Sequence, residues 1–295
     1  MPHIGIIINS HSGNRNSTQF ILRELEMLKR RHHVTICILD GTRTLGRVED
    51  FVTAHSFNKL VVAGGDGSAN LGAEKAIQQN IPLGVIPTGT FNHFAKHNSI
   101  PLGIRKAIKV IDDGHTKLVD VGTVNSRVFL NFLGMGLYTH IIVLRKEYEA
   151  KGWTKWAAFL LSCAKKIHEY PIQTIRLTVR GKVYEAKTPL LFIGNNRYDF
   201  YGFDFLGKQE AVSRGYLYVG ITHCTRRLSG VRLLAKAVGG TLVHDRDMDF
   251  MNVSSLICIQ ESSNTVIIDG EIARMDQPMN IGISPRALRV IVPIS

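Results

Sequence analysis

The 295-residue chain contains no run of about 18 uninterrupted apolar residues, which excludes an ordinary membrane-spanning helix. Cysteine is scarce. Cys37, Cys163, Cys224 and Cys258 lie far apart without metal-ligand spacing, so they read as reduced, small apolar residues of a cytosolic protein. The twelve histidines supply no His-Glu-x-x-His arrangement, since His32-His33 precedes a strand and His93, His97, His223 and His244 form no metal pattern. Zinc-finger spacing, a basic region leading into heptads and an aromatic RNA-binding signature are also missing, and no nucleic-acid partner is expected. Met1-Pro-His-Ile opens directly on a strand without the basic and apolar segments of a secretion signal, which points to the cytoplasm. There is no repeat, low-complexity run or Pro/Ser-rich linker, so any two domains should be joined closely.

Acidic residues are the scarcer charge. The chain carries 36 Lys and Arg against 24 Asp and Glu, a formal net charge of +12, and its isoelectric point is 9.7. Such an excess suits an anionic partner, and without nucleic-acid motifs the choice narrows to an anionic membrane surface or a phosphorylated ligand. The basic residues are scattered, so a merely soluble basic surface would look the same. With 44% hydrophobic and 20% charged residues the chain has an ordinary globular mixture, enough for one large domain or two of common size.

Through residue 125, strand and helix periodicities alternate. Strands are expected at Ile4 to Asn9, Val34 to Leu39, Leu60 to Ala63 and Leu83 to Ile86, and helices at Thr18 to Arg30, Gly46 to Ala54, Ala69 to Gln79 and Gly103 to Asp112. Repeated β-α units with short apolar strands imply a doubly wound parallel sheet covered on both faces. After Asp120 the texture turns β-rich, with strands expected at Arg127 to Leu133, Ile172 to Val179, Pro189 to Ile193, Tyr216 to Ile221, Leu256 to Gln260 and Thr265 to Ile268. An antiparallel β-sandwich is the natural reading. Trp153 to His168 has helical spacing at Trp156, Phe159, Leu160, Cys163 and Ile167; core packing is its commonest use, and an aromatic, Lys-bearing helix also suits a membrane surface. A second helix is expected from Leu228 to Val238. The divisions expected are 1–125 as an α/β domain and 126–286 as a β-rich domain.

The segment Lys59 to His97 carries the chemistry. The apolar strand Lys59 to Ala63 delivers into Gly64-Gly65-Asp66-Gly67-Ser68, where glycines permit positive φ and close approach to a polyanion while Asp66 and Ser68 add a metal-directed carboxylate and a hydroxyl. The helix that follows would aim its N-terminal amides at the same anion. A second unusual turn, Pro87-Thr-Gly-Thr-Phe-Asn-His-Phe-Ala95, follows the next strand, and Asn9 ends the first. In parallel sheets ligands gather beyond the carboxyl ends of strands, so these three places converge on a nucleotide. Backbone amides of Gly65 to Asn70, the Ser68 hydroxyl and Thr90 would hold phosphates, Asn9 and Asn92 would shape the walls, Gly64, Gly67, Thr88 and Gly89 belong to the same nucleotide-binding set, and Asp66 is directed at Mg2+. Taken singly, each also has a plain reading: a strand-to-helix turn for the glycine loop, an Asx-turn for Asp66 and a helix cap for Asn92. Near the C-terminus, Asp269-Gly270-Glu271 follows an apolar strand. It reads either as a pair of cleft carboxylates, one of them a general base, or as a common Asp-Gly hairpin.

These loops resemble the diacylglycerol kinase catalytic family, in particular its soluble bacterial lipid-kinase branch, in which GGDGT is followed by P-x-G-T-x-N-x-F-A. The likeness extends to Asn9-Ser-His-Ser-Gly13, to Asp120-Val-Gly-Thr-Val-Asn125, to Phe129-Leu-Asn-Phe-Leu-Gly-Met-Gly136, to Asp269-Gly-Glu271 and to the closing Ile281 to Pro293. Ser68 stands for the usual threonine and Ser10 for the usual proline. Arg214 replaces an acidic residue of a second magnesium site, so that site is not expected. The resemblance implies an ATP- and Mg2+-dependent kinase that phosphorylates a hydroxyl of diacylglycerol or a related lipid at the inner, anionic membrane face. It further implies that the first domain binds nucleotide and the second the lipid substrate, that Asp269-Gly-Glu271 supplies the base, with Glu271 favoured over Asp269, and that the last strand, near 287–295, returns to the first domain. An NAD kinase-like enzyme, or a nucleotide- or lipid-binding protein without turnover, remains as the alternative, and an oligomer is left open.

Overall fold

A computed structural model describes residues 1–13, 17–41, 44–169, 172–195, 198–199, 208–209, 215–222, 248–261 and 263–294. The expected helix at Leu228 to Val238, along with Arg214, His223, Cys224 and His244, lies outside the described residues. The chain divides into two compact units, Met1–Val121 with Pro285–Ser295, and Gly122–Ser284.

In the first unit the elements follow as β1 (His3–Asn9), α1 (Ser17–Glu24), α2 (Glu26–Lys29), β2 (His33–Leu39), α3 (Thr44–Thr53), β3 (Lys59–Gly64), α4 (Asp66–Gln78), β4 (Leu83–Pro87), α5 (His93–His97), α6 (Ile104–Asp113) and β5 (His115–Val124). The strands are ordered β2-β1-β3-β4 and pair in parallel, Ile4 beside Val34 and Lys59, and Leu60 beside Leu83. Near-continuous apolar runs such as Ile6-Ile7-Ile8 and Val61-Val62-Ala63 suit strands buried on both faces. Ile4, Ile6, Ile8, Val61, Ala63 and Ile86 meet Ile21, Leu25, Leu28, Ile108 and Ile111 of α1, α2 and α6 and the residue between the first two. On the opposite face Phe57 covers Gly5 and α4 lies over Val62, so close that a Cβ at Gly72 would stand 2.4 Å from Val62 Cγ1. The strand order reverses between β2 and β3, with β1 between them, and parallel sheets bind ligands beside such a reversal.

The second unit contains β6 (Arg127–Phe129), β7 (Phe132–Gly136), α7 (Leu137–Ala150), α8 (Lys155–Glu169), β8 (Gln173–Val179), β9 (Lys182–Thr188), β10 (Leu190–Gly194), β11 (Tyr198–Asp199), β12 (Lys208–Gln209), β13 (Leu217–Thr222), β14 (Met248–Val253), β15 (Ser255–Gln260), β16 (Thr265–Ile268), β17 (Glu271–Arg274) and the start of β18 (Met279–Val292). One antiparallel sheet runs β14-β13-β10-β7-β16-β17. Another pairs β18, β15, β8 and β9, also antiparallel. Their inner faces share Leu133, Met135, Leu191, Ile193, Val219 and Ile268 from the first, and Ile175, Leu177, Leu256, Cys258 and Ile281 from the second, the core of a sandwich. The outer face of the six-stranded sheet is covered by α7, whose Ile142 packs with Phe132, Phe192 and Ile267. Helix α8 lies on α7 through Cys163 and Ile141. The far end of β18 pairs in parallel with β4, Val290 beside Leu83, in the first unit.

The described fold is therefore a doubly wound parallel α/β unit plus an antiparallel β-sandwich unit. Some elements differ from the sequence reading. Helix α7 occupies a stretch read as part of a β-rich region, the expected Arg127 to Leu133 strand is split into β6 and β7, and α4 starts at Asp66, not Ala69.

Candidate active site

The first candidate loop begins where β3 ends. Gly65 takes extended backbone, φ −89° and ψ −167°, and serves as the N-cap of α4 without a side-chain cap. The Ala69 amide donates to the Gly65 carbonyl at 3.0 Å. Asp66, Gly67 and Ser68 thus form the first turn of a thirteen-residue helix, whose leading amides have no partner within the helix. This is an anion-attracting end. Contrary to the sequence expectation, none of Gly64, Gly65 and Gly67 has positive φ. Two of them answer instead to close approach: a Cβ at Gly64 would stand 2.2 Å from Ser68 Oγ, and one at Gly65 would stand 3.2 Å from the Gly89 Cα.

That second contact joins the two candidate loops. From the other side, a Cβ at Gly89 would come within 2.5 Å of the Gly65 Cα and 2.8 Å of Asn92 Oδ1. The Thr88 amide donates to the Gly64 carbonyl at 2.9 Å. Asn92 adopts left-handed backbone, φ 52°, before α5, and its amide closes the loop on itself: Oδ1 accepts from the Gly89 amide at 2.9 Å and Nδ2 donates to the Gly89 carbonyl at 2.8 Å. Asp66 reaches across to cap α5, its Oδ1 accepting from the Phe94 amide at 3.0 Å. The other carboxylate oxygen accepts no hydrogen bond from a described residue.

The end of β1 completes the group. Asn9 Nδ2 donates to Ser68 Oγ at 3.2 Å, and Asn9 Oδ1 accepts from the His11 amide at 3.1 Å. Thr88 Oγ1 donates to Ser12 Oγ at 3.1 Å. Asn9, Gly64, Gly65, Asp66, Ser68, Thr88, Gly89 and Asn92 therefore form one connected cluster at the carboxyl ends of β1, β3 and β4. Gly67 and the buried Asn70 lie within the first turns of α4, and Thr90 is exposed in the loop before α5. Ser12 was missed by sequence reasoning, although its place in the Asn9 to Gly13 segment pointed to it. Phe91 and His93 were missed as well. Their rings stack at 5.5 Å and 10°, Phe91 in the loop and His93 at the start of α5, with Phe91 38% exposed. At the end of α5, burial pushes the His97 imidazole down to about 4, with the Lys117 charge adding to the effect.

Asp269 and Glu271 belong to the second unit and stand in different environments. Asp269-Gly270 forms the two-residue turn between β16 and β17, with Ile268 beside Glu271. Positive φ at both residues, 48° and 86°, matches a hairpin turn that Asp-Gly favours. The Asp269 carboxylate is buried, and its two oxygens accept from the amides of Leu130 at 2.7 Å, Asn131 at 2.8 Å and Phe132 at 2.9 Å. Glu271 is 65% exposed in its side chain and pairs with Lys146 Nζ of α7 at 2.8 Å. Lys146 had no signal in the sequence, because the helix carrying it was not anticipated. No group of three or more His, Cys, Asp and Glu side chains able to hold a metal occurs among the described residues.

Comparison with known proteins adds the following. Residues 3–124 match the family model described as the diacylglycerol kinase catalytic domain, and residues 143–292 match that described as the YegS C-terminal NAD kinase beta sandwich-like domain. A curated diacylglycerol kinase of Staphylococcus carnosus (strain TM300) is 29% identical over 166 residues, covering 54% of this chain and 52% of that protein. One of Staphylococcus aureus (strain Newman) is 30% identical over 167 residues, covering 55% and 51%. The chain spans about half the length of the curated relatives it matches. A crystal structure of a diacylglycerol kinase from Bacillus anthracis str. Sterne superposes with a TM-score of 0.73 over 99% of this chain and 97% of that one, at 22% identity, a likeness of fold.

Proposed function

Since the chain belongs to the diacylglycerol kinase catalytic family, we propose that it is an ATP-dependent lipid kinase that phosphorylates a hydroxyl of diacylglycerol or a related lipid. The observation that carries this reading is the cluster at the ends of β1, β3 and β4, in which Gly65 and Gly89 meet backbone to backbone beside the uncapped start of α4. Phosphoryl transfer is mostly a matter of holding a charged phosphate chain in place and offsetting its charge, and backbone amides do this without a side chain that must be ordered.

In the proposed mechanism the amides of Gly65 to Asn70 and the hydroxyls of Ser68 and Thr90 bind the phosphates. Asn9 orients Ser68, and Asn92 sets the shape of the Gly89 loop. A Mg2+ ion fits this donor set, because Asp66 keeps one carboxylate oxygen without a described hydrogen bond while the other is fixed on α5, and Mg2+ commonly takes one or two carboxylates plus phosphates and water. Such an ion would offset the negative charge of the phosphate chain. Glu271 is the proposed base, taking the proton of the acceptor hydroxyl, since the Asp269 oxygens are already engaged by three backbone amides. The substrate would be met at the anionic inner face of the membrane, to which the +12 chain is attracted.

Labelled ATP offered with a panel of lipids and with NAD, with and without Mg2+, tests the reading. Transfer of label to a lipid supports it. Formation of NADP would favour the NAD kinase-like alternative, which the description matched by residues 143–292 keeps in play, and nucleotide binding without transfer would leave a non-catalytic protein. Asp66→Asn retains an acceptor for the Phe94 amide, so it should stay folded while turnover falls by roughly 100-fold or more. Wild-type rates in that variant would remove Asp66 from the mechanism.

A further inference from the structure

Helix α7 reaches the proposed base. Its Ile142, 1% exposed, packs with Phe132, Phe192 and Ile267 on the outer face of the six-stranded sheet. One turn later, on the same face of the helix, stands Lys146, whose ammonium donates to Glu271 Oε2 at 2.8 Å. A closer acid was available in the sequence. Glu149 lies three residues on along the same helix, but it pairs with Arg145 at 3.1 Å, whereas Lys146 pairs with a carboxylate 125 positions away.

Both ends of this pair come from fixed backbone. Glu271 opens β17 directly after the Asp269-Gly270 turn, which the Leu130, Asn131 and Phe132 amides anchor through the Asp269 carboxylate. Helix α7 begins straight after β7, where Gly136 takes φ 80° and a Cβ would stand 2.3 Å from the Pro189 carbonyl oxygen. The Glu271 side chain itself is 65% exposed, and a carboxylate on several rotatable bonds spreads over many rotamers in water. The ammonium selects among them. It takes Oε2, while Oε1 accepts no hydrogen bond from a described residue. An ion pair this exposed contributes little to stability, so fastening α7 to β17 is a weak reason for it.

We propose that Lys146 is a positioning residue for phosphoryl transfer: it holds the Glu271 carboxylate by Oε2 and so presents Oε1 to the acceptor hydroxyl. This rests on the reading of Glu271 as the base. In the step it serves, the hydroxyl oxygen attacks the γ-phosphorus and forms the new P–O bond. The bond from that phosphorus to the bridging oxygen breaks, its electron pair leaving on ADP, and the hydroxyl proton passes to Oε1 and then to water. Lys146 keeps its own proton throughout. What it supplies is alignment, which phosphoryl transfer demands more than strength of base.

Initial rates of transfer from labelled ATP to a short-chain diacylglycerol dispersed in solution test the assignment, with urea unfolding as the check on fold. Lys146→Met should lower kcat about 10-fold and leave KM for ATP unchanged, the mark of an interaction made in the transition state. Lys146→Arg, which keeps a charged donor, should recover most of the rate. In a Glu271→Gln background, Lys146→Met should cost no more than about twofold further, because the carboxylate it positions is gone.

A full-rate Lys146→Met enzyme beside a slow Glu271→Gln enzyme would overturn the inference and leave the base where it is. The same loss from Lys146→Met in both backgrounds would show that it acts apart from Glu271, and would overturn the inference too. So would a lowered urea midpoint in Lys146→Met together with a rate that Lys146→Arg does not recover, the signature of a purely structural contact. Wild-type rates in Glu271→Gln, or a wild-type protein that transfers no label, would instead sink the reading of the base and this assignment with it.

Discussion

Asp66, Asp269 and Glu271 are three carboxylates of one proposed mechanism, yet their surroundings assign them different work. Asp269 satisfies three backbone amides at 2.7 to 2.9 Å, and each buried amide left without an acceptor costs about 1–3 kcal/mol. Asp269→Ala should therefore lower unfolding stability by roughly 3 kcal/mol or more. Glu271, exposed and paired among the described residues with Lys146, should tolerate Glu271→Gln within ~1 kcal/mol, while turnover falls ~100-fold or more if it is the base. Urea unfolding and initial rates on the two variants separate these roles, and a Glu271→Gln enzyme at full speed would move the base elsewhere. His97 supplies a pH dependence. Its imidazole stays neutral in the fold down to about 4, whereas the unfolded chain binds the proton near the ordinary histidine value of 6.5. Stability should be complete above that value and decline as pH falls toward about 4, by an amount on the order of 3 kcal/mol in all. His97→Gln should flatten the curve, and an unchanged slope would exclude His97 as its source.

At the scale of elements, the glycine loops depend on how closely two turns approach. Gly89→Ala would put a methyl group 2.5 Å from the Gly65 Cα, against backbone that cannot step aside as a flexible side chain can. The expected result is about 1–3 kcal/mol of destabilisation from overpacking, with weaker nucleotide binding measured by calorimetry; unaltered affinity would show that the Gly65 contact is not needed. Here the sequence marked the loops as glycine-dependent, but attributed the dependence to positive φ and to close approach of a polyanion, whereas the contact found is between the backbones of the two loops at Gly65 and Gly89. Periodicity located β1, β2, β3, β4, α3 and α6 within a few residues, because short apolar strands between amphipathic helices leave a strong pattern. Helix α4 began early for a local reason: Asp66 and Ser68 have turn-like composition, yet an acidic residue is also favourable in the first turn of a helix. Helix α7 escaped because Tyr138, Thr139, Ile141, Ile142 and Val143 favour strands by propensity. It is covered by a sheet on one side and by α8 on the other, which blurs the amphipathic period. The Asp-Gly turn was legible as a hairpin, while the three amides held by Asp269 come from residues over 130 positions away, a partnership that local pattern does not encode.

For the whole molecule, the two units differ in how they were built and in what the proposal asks of them. The first gathers segments from 9–13, 64–70 and 87–92 around one switch point of a parallel sheet, and its fifth parallel neighbour comes from the far end of the chain, where Val290 lies beside Leu83. The second buries its core between antiparallel sheets and presents α8 outward. A ligand bound only by the folded state stabilises it by mass action, about 2.7 kcal/mol at a hundredfold excess over Kd, and slows amide exchange where it binds. ATP with Mg2+ should therefore slow hydrogen exchange in segments 9–13, 64–70 and 87–92, with Asp66→Asn reducing the effect. The pattern matters more than the size of the protection, because a general tightening of the protein would touch every slowly exchanging strand. If nucleotide leaves those three segments unprotected while protecting others, the phosphates are held elsewhere and the kinase reading loses its site.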